Sequence, residues 1–375
     1  ATTGKMAELR SVLQSIWSEA PGGSRGGSLA ALLSVLSFPY GAAVGLRNRL
    51  YDRGMLPQHR LPCRVVSVGN LTVGGTGKTP FTIFLAGVLK ENGFRPCVLS
   101  RGYGSASRSP VEIVSDGERI GARYPETGDE PLLIARSLSG IPVVAGADRV
   151  LTGREAMNRF GADVLVLDDA FQHRRLHRDI DIVLVDAGRP FGNGYLLPRG
   201  PLREPTGALR RADMIVRIGL AEQGTPPDPL AALGGRPLEV FSGLREPVDL
   251  RCGADGSSLP LAALRGKRIA AFAGIASPDA FRKMLERLQA QVVRFLAFPD
   301  HHPYRNEDIA GIRREAAEAG AEAIVTTEKD GVRLEAFPGF LSELQQLRIT
   351  ITMSPSEGPF VEAILKRLCQ GTHDR

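Results

Sequence analysis

Cysteines and aromatic residues are both scarce in this sequence. Its 375 residues include four cysteines and one tryptophan, and Phe, Trp and Tyr together make up 6%. The cysteines form no C-x-x-C pair and have no histidines at metal-binding spacing, which argues against a disulfide framework and a zinc site. The basic residues are not interleaved with aromatic ones, and no recognised nucleic-acid-binding module is present, so nucleic-acid binding is disfavoured.

The bulk composition is that of a globular protein. Hydrophobic residues make up 43% and charged residues 23%, and the length favours two domains over one. The net charge of +6 and the sequence pI near 9.3 favour a polyanionic partner. Nucleic acid, an acidic membrane surface and a phosphorylated substrate all meet that description, and charge alone does not distinguish them.

An uncharged stretch of 19 residues, 28–46, lies near the N-terminus. Its three serines, two glycines and Pro39 dilute its hydrophobicity and are expected to break its helix, so it is a poor transmembrane candidate. At helical spacing, however, four leucines form an apolar stripe, with arginines on both sides of the stretch. Such a helix suits the interface of an anionic membrane, but packing against its own domain explains the pattern equally well.

Short apolar runs, several separated by helical stretches, recur from Arg64 onward. They predict an α/β fold with a mostly parallel, P-loop NTPase-like sheet, followed by a second, smaller α/β domain. The proline- and glycine-rich segment at 220–237 predicts a linker or hinge. The expected organisation is an N-terminal helical segment at 1–60, a core domain at 61–219, and a C-terminal domain at 238–375.

The stretch "SVGNLTVGGTGKTP", at 67–80, has the features of a phosphate-binding loop. It follows a predicted strand and precedes a helix, although Thr72 stands where the usual pattern has glycine. Glycines at 74, 75 and 77 allow backbone N–H groups to converge on phosphate oxygens. Lys78 adds a positive charge, and the hydroxyl of Thr79 suits Mg²⁺. A purely structural turn is the alternative, which the helix and the Lys-Thr pair disfavour.

Two aspartates end the apolar run "DVLVLDD". Asp168 and Asp169 are expected at the carboxyl end of a strand, where the phosphate loop also opens. One or both can hold Mg²⁺ directly or through water. The basic segment "HRRLHR", at 173–178, comes just after them; it is either a solvated turn or a part of the phosphate site.

Three further segments carry polar groups in loops or at a helix start. In "TGDEP", Asp129 precedes a predicted helix, where capping is the simpler interpretation. In "FPDHHPY", two adjacent histidines rarely bind one metal, but one of them can orient a carboxylate. The loop "PRGPLREP", at 198–205, suits either phosphate binding or a rigid connection.

Taken in order along the chain, these segments resemble one family, the tetraacyldisaccharide 4'-kinases, which are the lipid A 4'-kinases of Gram-negative bacteria. The resemblance rests on "SVGNLTVGGTGKTP", "LSRGYG", "GDEPLLIA", "LDDAFQHR", "LLPRGPLREP", "FPDHHPY" and "TTEKD". The loop with threonine at position 72 looks like that family's own version. The set spans most of the chain and is far more specific than any one motif.

The resemblance implies transfer of the ATP γ-phosphate to the 4'-hydroxyl of a tetraacyldisaccharide 1-phosphate, which gives lipid IVA. It also implies a two-domain P-loop kinase that uses ATP and Mg²⁺. The N-terminal helix would attach the protein to the cytoplasmic face of the inner membrane, which favours the membrane interpretation of segment 1–60. We expect a monomer with a lipid substrate and no nucleic-acid partner.

The resemblance also implies roles for individual residues. Asp129 would be the base, His301 its partner (with His302 left open), and Lys78 a catalytic cation. The other implied sets are nucleotide-binding residues Gly74, Gly75, Thr76, Gly77, Lys78, Thr79, Pro80, Glu328, Lys329 and Asp330; substrate-binding residues Arg101, Tyr103, His173 and Arg199; and metal ligands Thr79, Asp168, Asp169 and Glu204.

A switch or partition ATPase with a deviant phosphate loop is the main alternative. Such proteins often carry a lysine just before the double glycine and dimerise over ATP. Val73 occupies that position here. The "GDEP" and "DHH" segments are also unexplained by that function, so the kinase interpretation is preferred.

Overall fold

A computed structural model describes residues 16–17, 27–107, 109–219, 238–253 and 256–370. The chain forms two compact units, and each combines segments from separate parts of the sequence. The first unit comprises Ala1–Lys78, Asp163–Leu244 and Thr352–Arg375, and the second comprises Thr79–Ala162 and Arg245–Ile351. The predicted linker at 220–237 lies outside the described residues, so the domain boundaries stay a prediction.

The described ranges alternate helices and strands. The helices are α1 Gly27–Asp52, α2 Lys78–Glu91, α3 Asp129–Ser137, α4 Arg149–Phe160, α5 Pro278–Arg287, α6 Asn306–Glu318, α7 Glu328–Arg333, α8 Pro338–Leu341 and α9 Gly358–Gln370. The strands are β1 Arg64–Asn70, β2 Pro96–Ser100, β3 Glu112–Ser115, β4 Val143–Ala145, β5 Val164–Leu167, β6 Ile180–Asp186, β7 Met214–Ile218, β8 Glu239–Cys252, β9 Ser257–Leu259, β10 Arg268–Ala273, β11 Gln291–Ala297, β12 Ala323–Thr327 and β13 Leu344–Ser354.

Helix α1 is continuous, so the prediction that prolines and glycines break it is wrong. Pro39 lies inside a helix of 26 residues. In the turn before the proline, Ser37 Oγ donates to the carbonyl of Leu33 at 2.9 Å, a contact that is typical of bent helices. The same hydroxyl lies 3.0 Å from the carbonyl of Leu196, and the Tyr40 hydroxyl donates to the carbonyl of Arg203 at 2.9 Å. One side of α1 is thus fastened to the loop before β7.

Most of the apolar stripe of α1 is exposed. Leu33 is buried, whereas Leu29, Leu32 and Leu36 are 37%, 56% and 48% exposed. By length and composition α1 is long and apolar enough to cross a membrane. Of its apolar stretch of 18 residues, 11% is buried within the protein. A core helix and a signal sequence pass the same test, so length and composition alone are weak evidence. The exposure nevertheless disfavours the alternative in which the stripe packs against its own domain.

A parallel ladder forms the centre of the first unit. The strands pair in the order β5-β1-β6-β7-β8, all in parallel. Six of the seven residues of β1 are buried, which is typical of a strand covered on both faces. A core that includes Phe171, Val183 and Ile215 packs on one side of the ladder. Because β1 and β5 are neighbours and parallel, the segments that come after them leave the same edge of the sheet.

The second unit contains two ladders of its own. In one, β4 pairs in parallel with β2 and antiparallel with β3. In the other, the parallel order is β11-β10-β12-β13. Phe272 on β10 packs with Tyr304 and Phe340, which anchors the segments around α6, α7 and α8. The predicted α/β class with a mostly parallel sheet is confirmed.

Candidate active site

The phosphate loop lies in the first unit, between β1 and Lys78, the first residue of α2. Gly74 and Gly77 have φ values of 115° and 88°, which a residue with a Cβ atom rarely adopts. Asn70, at the end of β1, braces the loop by donating from Nδ2 to the Thr76 hydroxyl at 2.9 Å. The same side chain accepts from Lys78 Nζ at 3.2 Å. The phosphate-loop pattern assigns no role to Asn70, yet this residue holds the lysine in place.

Asp168 and Asp169 come after β5 at the edge of the sheet where the loop opens. The Asp168 side chain is buried, with 2% of the residue exposed. Asp169 has φ of 48°, an uncommon value for a non-glycine residue that is found more often at functional sites. Arg203 Nη1 lies 2.8 and 3.0 Å from its two carboxylate oxygens, and Lys78 Nζ lies 3.7 Å away. Asp169 therefore joins two cations beside the phosphate loop.

The donor set at this edge suits Mg²⁺ with a nucleotide. Among the described residues, no group of three or more His, Cys, Asp or Glu side chains can hold a metal ion. Mg²⁺ needs fewer protein ligands, because it is commonly held by one or two carboxylates together with substrate phosphates and water. Asp168 and Asp169 are carboxylates of this kind next to the loop, and metal ligation by them and by Thr79 stays a prediction.

Glu204, another predicted metal ligand, lies in a buried ion pair. Arg211 Nη2 donates to both of its carboxylate oxygens at 3.1 and 3.0 Å, and Asn48 Nδ2 donates to one of them at 2.7 Å. Arg211 in turn lies over the ring of Phe171, 4.5 Å from its centre. These contacts favour a structural role that joins α1 to the segment before β7. Metal ligation by Glu204 stays a prediction.

His173 and Arg199, two predicted substrate residues, lie in the first unit. The backbone N–H of His173 donates to the carbonyl of Ala170 at 2.8 Å, so it belongs to the turn that comes after Asp169. The Arg199 residue is 4% exposed, and its guanidinium lies 4.9 Å from the centre of the Tyr195 ring. This burial favours a structural role for Arg199, and its contact with substrate stays a prediction.

In the second unit, Asp129 and His301 form a close pair. Asp129 begins α3 and is 3% exposed, and His301 Nδ1 lies 3.0 and 3.2 Å from its two oxygens. The helix cap itself is Gly128, with no side-chain hydrogen bond, so Asp129 is not serving as the cap. His301 has φ of 60°, another non-glycine residue in the left-handed region.

The second histidine of the "DHH" segment has a different partner. His302 Nε2 lies 3.0 Å from Asp308 Oδ2, and the His302 ring stacks on Phe298 with centroids 4.9 Å apart. The structure therefore places His301, and not His302, against Asp129. Periodicity and spacing left this choice open because both histidines occupy the same short loop.

Lys329 extends the pair into a cluster. Its ammonium lies 3.4 Å from His301 Nε2, 3.3 Å from Glu130 Oε1, and 3.9 Å from carboxylate oxygens of both Asp129 and Asp300. An ammonium can only donate, so a His301 ring that accepts from Lys329 at Nε2 would carry its proton at Nδ1, facing Asp129. Lys329 was predicted to meet the nucleotide; the structure places it beside Asp129, and its role stays a prediction.

The cations around Asp129 hold it ionised. Burial by itself raises the pKa of this carboxyl. The hydrogen bond from His301 and the charges of Lys329, His301 and Arg333 outweigh burial and lower the pKa to about 2. The carboxylate is therefore a hydrogen-bond acceptor at any pH at which an enzyme of this kind is assayed.

Arg333 is the group that sequence reasoning missed. Its side chain is completely buried, and Nε lies 2.9 Å from Asp129 Oδ2. Asp330, predicted to meet the nucleotide, is also fully buried and accepts from the Tyr304 hydroxyl at 2.7 Å. Its burial favours a structural role. No local signal marks Arg333, because an arginine at the end of a short helix is usually solvated.

Glu328, the first residue of α7, lies among charged neighbours. Burial raises its pKa to about 7, although the nearby charges of Arg251, Arg348 and Arg136 act in the opposite direction. It therefore titrates near neutral pH. These neighbours do not bear on its predicted contact with nucleotide, which stays a prediction.

The predicted substrate residues Arg101 and Tyr103 lie in the exposed loop after β2. Tyr103 is 59% exposed, and its ring centre lies 5.5 Å from that of His301. The loop packs closely against the start of α3, because a Cβ atom on Gly128 would lie 2.3 Å from the Tyr103 carbonyl oxygen. The exposed Tyr103 ring thus lies beside the half-buried His301 ring, and contact of Arg101 and Tyr103 with a substrate head group stays a prediction.

Comparisons with known proteins agree with one another. The chain is 50% identical over 374 residues to a tetraacyldisaccharide 4'-kinase of Syntrophus aciditrophicus, covering 97% of this chain and 100% of that protein. It is 46% identical to the protein of the same name from Anaeromyxobacter dehalogenans strain 2CP-C, over 86% of each. A crystal structure of LpxK from Aquifex aeolicus in complex with ATP is similar, with 34% identity and a TM-score of 0.73. That likeness covers 91% of this chain and 99% of the Aquifex chain.

The family model described as tetraacyldisaccharide-1-P 4'-kinase matches residues 29–369. This range includes the phosphate loop of the first unit and the Asp129–His301 pair of the second. A switch or partition ATPase is not favoured by any of these relatives. The chain belongs to the tetraacyldisaccharide-1-P 4'-kinase family.

Proposed function

We propose that this chain transfers the γ-phosphate of ATP to the 4'-hydroxyl of a tetraacyldisaccharide 1-phosphate, which yields lipid IVA. The observation that carries the proposal is the Asp129–His301 pair, in which an ionised carboxylate lies 3.0 Å from a histidine whose ring is next to the exposed ring of Tyr103. A nucleotide-dependent switch has no need for such a pair. A kinase with a sugar acceptor does, because the hydroxyl must be oriented and must lose its proton.

The phosphate loop is proposed to bind ATP. Family membership and the ATP in the Aquifex structure support this, together with the backbone of Gly74–Gly77 and the charge of Lys78. Lys78 Nζ lies near Asn70, Gly74 and Asp169, so a bound phosphate would compete with these three partners for the ammonium. Arg203, which also pairs with Asp169, would then keep that carboxylate neutralised.

Mg²⁺ is proposed as the second cofactor. Asp168, Asp169 and the Thr79 hydroxyl are the residues that would hold it, with phosphate oxygens completing the set. When bound, the ion would supply charge neutralisation for the phosphates. Removal of divalent ions with EDTA should abolish transfer, and Mg²⁺ in excess should restore it.

Asp129 is proposed to receive the proton of the acceptor hydroxyl. The hydroxyl oxygen forms a bond to the γ-phosphorus, the bond between that phosphorus and the ADP oxygen breaks, and the proton passes to Asp129 as the new bond forms. A loose transition state of this kind needs positioning more than a strong base. A carboxylate whose pKa is about 2 can therefore serve, provided that it is fixed in place.

Helix α1 is proposed to hold the enzyme at the cytoplasmic face of the inner membrane, where ATP is available. Val35 and Phe38 are 68% and 82% exposed, and two arginines near the end of the helix, Arg49 and Arg53, lie at least partly exposed. Apolar side chains beside such arginines suit the interface of an anionic leaflet, from which a lipid substrate can be taken. We expect a monomer, because one chain contains all the proposed groups.

The test is transfer of labelled γ-phosphate to tetraacyldisaccharide 1-phosphate in detergent micelles. We expect label in the lipid, and ATP consumption in proportion to the lipid supplied. An enzyme that hydrolyses ATP at the same rate without lipid, and labels none of it, would fit the switch ATPase instead. Disaccharide that already carries a 4'-phosphate is the matched control substrate and should accept no label.

A further inference from the structure

We propose that Arg333 is a positioning residue for phosphoryl transfer, whose guanidinium forms a buried ion pair with Asp129 and so fixes the carboxylate that receives the acceptor hydroxyl. This role deepens the proposed role of Asp129 and rests on it. Arg333 itself is completely buried and acts through the carboxylate, not by touching the substrate.

Three basic side chains lie close to the carboxylate of Asp129. Oδ2 lies 2.9 Å from Arg333 Nε, 3.0 Å from His301 Nδ1 and 3.9 Å from Lys329 Nζ. His301 Nδ1 also lies 3.2 Å from Oδ1. Arg333 is thus a buried ion-pair partner of the carboxylate that His301 contacts by hydrogen bonds, and the remaining lone pairs of that carboxylate can accept a hydrogen bond from substrate.

The Arg333 guanidinium is itself fixed by contacts with Gly274 and Asp330. Its Nη1 donates to the carbonyl of Gly274 at 2.9 Å and lies 3.2 Å from Asp330 Oδ1. Asp330 is fixed by donors from three directions: the Tyr304 hydroxyl at 2.7 Å, the Gly274 N–H at 3.0 Å and the Thr327 hydroxyl at 2.6 Å. Each bond restrains the next, so the position of Asp129 is tied to the backbone just after β10 and the start of α7.

The chemistry of the side chain fits this task. A guanidinium presents several N–H groups in a rigid plane, so it can bridge the carboxylates of Asp129 and Asp330 and a carbonyl oxygen at once. An ammonium is a single point charge on a flexible stem, without the rigid fork of N–H groups. Lysine is therefore expected to be a poor substitute although it keeps the charge.

A purely structural ion pair is the competing explanation. Asp330 alone would neutralise Arg333, and a buried pair of this kind is weak evidence for a gain in stability. The second contact, to Asp129, is the part that a structural role leaves unexplained. The two explanations predict different effects of losing the guanidinium: misplacement of the base lowers kcat, whereas loosened packing lowers stability.

A matched control is provided by a second arginine between the same two helices. Arg136 on α3 pairs with Glu335, just after α7, and this pair does not include Asp129. The variant Arg136→Ala should lower the melting temperature and leave kcat within about twofold of the wild type. Any loss of activity that arises only from looser packing of α3 against α7 should appear in this variant.

The experiment compares Arg333→Lys, Arg333→Ala and Arg136→Ala in the lipid phosphorylation assay, with melting temperatures measured in parallel. Both Arg333 variants should lose about 10²-fold in kcat, because a displacement near 1 Å is enough for that loss, while KM for ATP and lipid stays within about twofold. Millimolar ethylguanidinium should restore Arg333→Ala by at least about tenfold, and ethylammonium should not. If Arg333→Ala does not fold, the kcat of Arg333→Lys decides whether Arg333 positions Asp129.

The pH dependence of kcat/KM is an independent test of the contact between Arg333 and Asp129. The groups that face Asp129 are His301, Lys329 and Arg333, with Tyr124 nearby and Glu130 adjacent in sequence. Loss of the Arg333 charge should move the acid limb of kcat/KM to higher pH in Arg333→Ala, less so in Arg333→Lys, and not in Arg136→Ala.

Each outcome has a distinct meaning. A kcat within twofold of the wild type in folded Arg333→Lys, or equal losses in the Arg333 and Arg136 variants, overturns the positioning role. Asp129→Asn is assayed alongside. If that variant keeps full activity, the proposed base is wrong, whereas an inactive Asp129→Asn beside a fully active Arg333→Lys removes only the inference about Arg333.

Discussion

His301 Nδ1 lies 3.0 Å from Asp129 Oδ2, although 172 positions separate the two residues in the sequence. We expect Asp129→Asn to lower lipid phosphorylation by about 10²- to 10⁴-fold, because the amide cannot accept the hydroxyl proton. Equilibrium binding of ATP should be unchanged. Asp116→Asn, in an exposed turn of the same unit, is the matched control and should keep full activity.

The low pKa of Asp129 sets the pH dependence of this effect. Its folded-state pKa of about 2 lies below the ordinary 3.8, so its contribution to stability is present above about pH 4 and is lost as the pH falls through 2. The wild-type rate should therefore show no limb from this carboxylate between pH 5 and pH 9. Such a limb at pH 5 or above would contradict the assignment.

Lys78→Ala should weaken ATP binding by about 10- to 100-fold, since a charge-assisted contact to phosphate is worth about 1.5–3 kcal/mol. Isothermal titration with a non-hydrolysable ATP analogue measures this directly. The matched control is Lys90→Ala, on the last turn of the same helix, whose Nζ donates to the Ser139 carbonyl at 2.6 Å. Equal affinities in the two variants would argue against a phosphate role for Lys78.

Glu204→Gln separates the two roles considered for this residue. If Glu204 is structural, breaking its buried pair with Arg211 should cost about 3–5 kcal/mol of unfolding free energy. The Mg²⁺ concentration for half-maximal activity should then stay the same, as measured by titration of the folded variant. If Glu204 is a metal ligand, that concentration should rise at least tenfold instead. Asp168→Asn provides the reference for loss of a proposed metal ligand.

Leu32→Glu and Phe38→Glu should release the protein from anionic vesicles. Both side chains are exposed, so the changes should leave the melting temperature within a few degrees of the wild type. Each substitution removes apolar area from the interface and adds a charge that the leaflet repels. Sedimentation with vesicles of phosphatidylglycerol measures binding. Glu343→Gln, far along the chain in an exposed ion pair with Arg313, is the control that should bind normally.

Glu328→Gln should change how stability depends on pH. The folded-state pKa of about 7 lies above the ordinary 4.5, so the stabilising protonated form is fully present below about pH 4.5 and is lost as the pH rises through 7. The glutamine variant has no such loss. Relative to the wild type it should gain up to about 3 kcal/mol between pH 5 and pH 8, as measured by denaturant unfolding at both pH values. A difference that does not vary with pH would show that Glu328 does not titrate in this range.

Several parts of the fold and site were predictable because their causes are local. The loop from Gly74 to Lys78 is recognisable as a phosphate-binding loop from consecutive residues. Buried β-branched runs such as β1 and β5 predict parallel strands without knowledge of their partners. The helix α1 was misjudged in one respect. Pro39 was expected to help break it, but the loss of one backbone hydrogen bond at the proline does not end this helix of 26 residues.

The α/β class, the phosphate loop and the set of acidic and basic residues that the family resemblance singles out can all be read from the chain without coordinates. The partners of those residues cannot, and they became known from the folded chain. The fold selects His301 over His302, brings Lys329 to Asp129, places Glu204 in an ion pair, and sets the buried Arg333 against the same carboxylate. Electrostatic partners are chosen by distance in space, and spacing along the chain does not encode that distance for residues that different strands and helices carry.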